Sequence, residues 1–186
     1  IRDRLFIVLT RGFSDMGHAK RLLNPVGPFV DARSVTWEGG ADNGIAVRQS
    51  NGDGVWRTIE AGRRNGVVSQ QNAEIPDNRY LYFDVDDGFA LILNGGAVSV
   101  EITYRDSGCE AFAIEYDSTD LESGPVSGSF RHGGDVALAQ TGAWKTATFD
   151  LEECRFDNRA NGADFRLAVR GGAKELAVCR VAVTRK

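Results

Sequence analysis

An antiparallel β-sandwich is the fold class that three observations in this sequence predict. Short runs alternate strictly between apolar and polar residues, as in "VSVEITY" at 98–104. Turn-forming Asn-Gly dipeptides begin at Asn43, Asn51, Asn65, Asn94 and Asn161, and Asp-Gly at Asp53 and Asp87. The chain carries 22 Gly against one Met, which favours many tight turns over long helices. Side chains in a strand alternate faces, so each such run has one buried and one wet side. The dipeptides tolerate the positive φ angles of hairpin turns, and turn signals at this spacing mark an all-β sandwich or barrel.

Taken in order, residues 1–33 stand apart as an N-terminal extension or connector strand. Their "RLFIVLTRGF" reads as a strand, "SDMGHAKRLL" is weakly helical, and "NPVGPF" breaks what precedes it. The sandwich is expected over residues 34–186. In Tyr80–Asp84, Leu81 and Phe83 face inward while Tyr80, Tyr82 and Asp84 face out. Val98, Val100, Ile102 and Tyr104 share a buried face, as do Phe112, Ile114 and Tyr116. Strict alternation returns from Trp144 to Leu151 and again at Phe165, Leu167 and Val169, and "AVCRVAV" closes the chain.

Composition removes several function classes. With 42% hydrophobic and 26% charged residues, the chain has the make-up of an ordinary globular protein. A net charge of −4 and a pI near 5.3 argue against a nucleic-acid surface. No apolar run approaches the roughly 20 residues that span a bilayer, and "LFIVL" at 5–9 is far shorter. The first residue is Ile1, so the chain is expected to be a processed or trimmed product. Only His18 and His132 are present, which leaves few members for a Ser-His-Asp or Cys-His constellation, and no Cys or His spacing suits zinc. The expectation is a protein that is not an enzyme and requires no cofactor.

Three cysteines remain to be placed. Cys154 and Cys179 lie in or beside late strand-like segments, and either bridge one another or sit as two half-buried thiols. A disulfide between them is expected, because both flank strands that meet if the loop at 152–164 folds onto the last strand. Cys109 is left over, in a turn after "RDSG".

Binding chemistry has several candidates. "YFDVDDGF" puts Asp84 and Asp86 on one face with Asp87 at the turn, a set that either holds a structural Ca²⁺ or is a solvated rim. Trp56 follows "NGDG" in a hairpin-like stretch and is the best placed of the three tryptophans to stack on a sugar ring. Arg131 and His132 precede a Gly-Gly turn. Asn158 and Arg159 lie in the polar loop "RFDNRANGADF", which reads first as a structural corner and second as a ligand site. Trp56, Arg131, His132, Asn158 and Arg159 form the expected contact set, chosen for loop context.

The segments "YLYFDVDDGF", "VEITYRDSG", "FAIEYDS", "TGAWKTATFDLEECRFDNRANGADFRL" and "LAVCRVAVTR" together resemble a β-sandwich module of bacterial secreted glycan-active proteins. The resemblance runs from about Tyr80 to Arg185. It implies a galactose-binding-like, jelly-roll-like architecture, an extracellular or cell-surface setting, a polysaccharide or glycan partner, and in some members a structural Ca²⁺. No binding residue transfers, because the shared positions are core and corner. Cys154, Cys179 and residues 1–33 depart from the pattern. A second expectation therefore stands beside carbohydrate binding. In it the chain is a structural subunit of a cell-surface or extracellular assembly, and "RLFIVLT" adds as a strand to a neighbour, another copy of the chain included.

Overall fold

A computed structural model of the protein describes residues 27–49, 53–70, 79–93, 95–171 and 175–186. Twelve strands appear among these described residues, in chain order β1 (Ser34–Glu38), β2 (Ala41–Asn43), β3 (Ile45–Arg48), β4 (Trp56–Ala61), β5 (Arg64–Ser69), β6 (Tyr80–Val85), β7 (Val98–Arg105), β8 (Ala111–Tyr116), β9 (Arg131–Ala137), β10 (Trp144–Leu151), β11 (Phe165–Arg170) and β12 (Ala177–Arg185). A short helix, α1 (Asp87–Leu93), follows β6. The strands form two antiparallel sheets. In the larger, the order is β10-β7-β12-β1-β2, with β5 also paired to β12 and β4 to β5. The smaller is β3-β6-β11-β8-β9. Successive strands pass repeatedly from one sheet to the other, so the sandwich is jelly-roll-like.

The alternating runs bury the faces that the pattern assigns. Leu81 and Phe83 of β6, Phe112 and Ile114 of β8, and Phe165 and Leu167 of β11 are fully buried, and they meet Val98, Val100 and Ile102 of β7. Phe83 and Phe165 sit on register-paired positions and stack at 5.2 Å. Each such side chain contributes about 1.5–3 kcal/mol by leaving water. Tyr82 departs from the pattern. It lies on the outer face, yet it is completely buried beneath polar groups from three other segments.

Three glycine-containing signals mean something other than turns. Asn65-Gly66 lies inside β5, and the hairpin to β4 turns instead at Gly62 and Arg63, both at positive φ. A Cβ on Gly66 would stand 2.2 Å from the Val178 carbonyl, so glycine here lets β5 approach the bulge in β12. Gly133-Gly134 is likewise no turn. Both residues lie within β9, where the register against β8 shifts, and a Cβ on Gly133 would meet Leu151 and Ile114. The expected turn at Asp87-Gly88 is the start of α1, capped by Asp86, whose Oδ1 accepts the N–H groups of Gly88 and Phe89 at 2.9 and 3.2 Å.

The expected disulfide is corrected. Cys109, Cys154 and Cys179 are all buried free thiols. Cys154 follows Leu151, which pairs with Val98 at one end of β7. Cys179 lies beside Thr103 and Tyr104 near the other end, with its Sγ 3.7 Å from the Thr103 carbonyl. Several residues of strand at roughly 3.3 Å each separate the two, well beyond the roughly 4.4–6.8 Å that a disulfide allows between Cα atoms. Burial pushes the Cys154 thiol up to about 12 and the Cys109 thiol up to about 11. In the native protein a disulfide-exchange thiol reagent is therefore expected to find these groups inert and to titrate all three only after unfolding. A non-reducing digest that yields a Cys154–Cys179 peptide would contradict this.

Residues 1–26 lie outside the described ones, and with them most of the expected 1–33 extension and the "RLFIVLT" strand. Among the described residues, no helix is long and apolar enough to cross a membrane.

Candidate functional site

The edges of the two sheets meet where the β1–β2 hairpin, the β4–β5 hairpin and β3 come together, and a groove of about 650 Å³ opens there. Strand alternation sets part of its lining, and Ile59 and Gly66 from the other phase of the β4–β5 hairpin also reach it. On β4, Trp56, Thr58 and Glu60 share one side, opposite Ser69, Val67 and Asn65 of β5 in register. Trp37 and Asp42 are themselves a register pair across β1 and β2, and both line the groove. Ala46 and Val47 of β3 complete it.

Trp56 is half-buried and packs on the core through part of its ring, while its indole N–H donates to the Arg48 carbonyl at 3.1 Å. That bond and the register with Ser69 fix the ring before any ligand arrives. Asp42 is held in an Asx turn, its Oδ1 accepting the Gly44 N–H at 2.9 Å. An indole wall beside a hydroxyl, an amide and two carboxylates is suited to C–H stacking and hydrogen bonding with a ring of alcohols.

A second cleft of about 420 Å³ adjoins the first and shares Asp42 and Ala46 with it. Asp84, Asp86, Asp87, Arg48 and Asn158 line it. This places the expected calcium ligands on one wall, but each already has work. Asp84 accepts from Arg48 Nε at 2.8 Å and pairs with its Nη2. Asp86 caps α1, and Asp87 accepts from Asn158 Nδ2 at 3.2 Å. Among the described residues no group of three or more His, Cys, Asp or Glu side chains is arranged to hold a metal. The set does not fit the six to eight oxygens of a Ca²⁺ shell.

The remaining expected site residues are dispersed. Arg131 pairs with Glu153, donates to Ser118 Oγ at 3.1 Å and stands 5.8 Å over the Tyr116 ring. Arg159 donates to Asp117 Oδ1 at 3.3 Å and to the carbonyls of Val126 and Ser127. Both arginines thus hold the loop at 117–130. His132 lies on edge strand β9, with its Nε2 2.9 Å from Asp135. Asn158 anchors the corner, its N–H donating to buried Asp164 at 2.9 Å. Of the five, Trp56 alone lines the groove, and Asn158 lines the adjoining cleft.

A cluster that sequence reasoning missed covers the outer face of the smaller sheet. The Arg166 guanidinium lies between the rings of Tyr80 and Phe130, at 3.7 and 3.9 Å from their centroids. Its Nε donates to Glu115 at 2.7 Å and its Nη1 to the Tyr82 hydroxyl at 2.9 Å. Tyr82 in turn donates to Asp53 and accepts from Asn161 Nδ2 at 2.9 Å. Burial pushes the Tyr82 hydroxyl up to about 12, with Arg166 opposing the shift. Burial works against the charge on Arg166, but Tyr82 and Glu115 more than offset it and hold the guanidinium ionised. The outward positions of Tyr80, Tyr82, Glu115 and Arg166 were a readable signal. Asp53, Phe130 and Asn161 come from loops whose placement no periodicity encodes.

No family model matches the sequence, and the search of curated proteins finds no significant match. Among solved structures the chain is similar to the K2 cleaved adhesin domain of Lys-gingipain from Porphyromonas gingivalis, at 12% identity and a TM-score of 0.46 over 81% of this chain and 99% of that one. It is similar to the C-terminal CBM6 of a laminarinase from Zobellia galactanivorans, at 10% identity and a TM-score of 0.40 over 81% and 98%. It is also similar to the CBM22-1–GH10 modules of a Clostridium thermocellum xylanase, at 12% identity and a TM-score of 0.44 over 83% of this chain and 26% of that one. These likenesses are distant and assign no residue of the groove.

Proposed function

We propose that the chain is a non-catalytic carbohydrate-binding module that works outside the cell and holds a glycan in the groove walled by Trp56. The observation that carries this reading is the groove itself, in which a fixed indole and the polar side chains of Asp42, Thr58, Glu60 and Asn65 line one opening. A pyranose presents a C–H face to the ring and hydroxyls to its neighbours. No Cys or His is among the described residues that line it. The extracellular placement follows the sequence resemblance to secreted glycan-active modules.

Affinity electrophoresis through gels containing different polysaccharides tests the reading. The native protein is expected to be retarded by at least one of them. Trp56→Ala is expected to cost on the order of 1 kcal/mol or more, which is roughly fivefold or more in Kd. His132→Ala, on the far edge of the smaller sheet, is expected to leave retardation unchanged. Retardation by none of the polysaccharides would overturn the reading, and release of reducing sugar during the run would replace binding with hydrolysis.

A further inference from the structure

We infer that the ligand of the Trp56 groove is an amine-bearing polysaccharide, a chain of glucosamine-type sugars with free ammonium groups. The inference rests on the carbohydrate reading above and adds the ligand's charge. The titratable side chains lining the groove are Asp42 and Glu60, both exposed, and no Lys or Arg is among its described lining residues. Trp56 projects from the same face of β4 as Glu60.

The surroundings keep the sign. Arg57 occupies the opposite face of β4 by alternation. Arg64 turns its Nη1 toward Cys179 Sγ at 3.7 Å, and Arg180 is shared by Glu38 and Glu101. Arg48, the cation of the adjoining cleft, is bound to Asp84. Asp86 adds a further carboxylate on that cleft's wall. Low-dielectric walls with one sign of charge concentrate ligands of the other sign and repel their own. Uronic or sulfated chains would bring anions against Asp42 and Glu60, whereas neutral sugars would leave both carboxylates facing hydroxyls alone. An ammonium at C2 matches them, while the ring face stacks on Trp56.

The test compares glucosamine oligomers with their N-acetylated counterparts of equal length, and with oligogalacturonate, by titration calorimetry at low salt. The amine form is expected to bind about tenfold tighter than the acetylated form, with no binding of the uronate. Asp42→Asn/Glu60→Gln is expected to bring that ratio close to one, and so is raising the salt, because these side chains are exposed. The protein is acidic overall, so a charge-matched control is needed. Glu122→Gln/Glu152→Gln removes two exposed carboxylates elsewhere and is expected to keep the ratio. Equal or tighter binding of the acetylated oligomer, lost in Trp56→Ala, would overturn the amine inference and leave the carbohydrate reading standing. An unchanged ratio in Asp42→Asn/Glu60→Gln would show that attraction lies outside the groove and overturn it too. Absence of binding to every oligomer would overturn the amine inference, and the polysaccharide gels would then decide the carbohydrate reading by themselves.

Discussion

Arg166→Met is expected to lower the free energy of unfolding by about 3 kcal/mol or more, because removing one member of a largely buried ion pair strands the other. Only 12% of the Arg166 side chain and 17% of the Glu115 side chain are exposed. Methionine restores much of the volume between Tyr80 and Phe130, so the loss reports the guanidinium and not a cavity. Glu115 would lose its donor, and Tyr82 would lose one of the groups that satisfy its buried hydroxyl. Arg170 gives the contrast within the same strand. Its pair with Asp135 is about half exposed on both sides, and Arg170→Met is expected to cost under about 1 kcal/mol. Urea unfolding followed by tryptophan fluorescence reads both. A loss at Arg166 no larger than that at Arg170 would show that the cluster on the outer face is ornamental.

Asp164→Ala is the second large effect expected. This carboxylate is fully buried and accepts the N–H of Val85 at 2.8 Å on one oxygen and the N–H of Asn158 at 2.9 Å on the other. Alanine leaves one buried and one partly buried backbone donor without partners, at about 1–3 kcal/mol for the buried one and less for the other. Asp164→Asn keeps one acceptor and should fall between alanine and the native protein. The pH dependence has a definite sign. Burial, then the charge of Asp84, pushes the Asp164 carboxyl well above the usual carboxylate range. The folded state then holds this proton more tightly than the unfolded chain does. The stability it contributes is complete below the unfolded pKa and is lost as pH rises through the folded one. Melting temperatures of the native protein and Asp164→Asn should accordingly converge as pH rises from about 4. Divergence would contradict the assignment. Asp106 runs the other way. Its pairing with Lys145, together with Thr141, holds its carboxyl below the usual range, so its contribution is present above that range and lost in acid.

These two side chains also show what the sequence could and could not reveal. The alternating runs made the core legible, since a period of two leaves no choice about which face Phe83, Ile102 or Phe165 takes. The corner at 152–164 was legible as a corner, because Asn158 and Asn161 accept the positive φ that it requires. Its anchor was not. Asp164 looks like any loop carboxylate until β6 and the corner come together and close on it. Glycine was the least readable signal. Asn65-Gly66 and Gly133-Gly134 have the composition of turns, yet both serve strand interiors where another backbone or a core side chain leaves no room for a Cβ. The expected disulfide went astray for a related reason. Proximity was inferred from the corner folding onto the last strand, and position along β7 separates the two cysteines.

The groove was legible in part. Trp56 stood out as an aromatic beside a turn, but Asp42, Glu60 and Asn65 reach it only through hairpin register. Arg131 and Arg159 were chosen for their loops, and they turn out to hold one loop in place.

The indole N–H resonances of the three tryptophans, followed by NMR during titration with a retained oligosaccharide, test the central claim most directly. Trp56 lines the groove, while Trp144 lies against the tip of the β4–β5 hairpin with its Nε1 donating to the Ala61 carbonyl at 3.1 Å. The groove reading predicts a saturable shift of the Trp56 signal, with Trp144 unmoved and the response abolished in Trp56→Ala. Saturable binding that leaves the Trp56 signal in place, or that moves Trp144 alone, would contradict it.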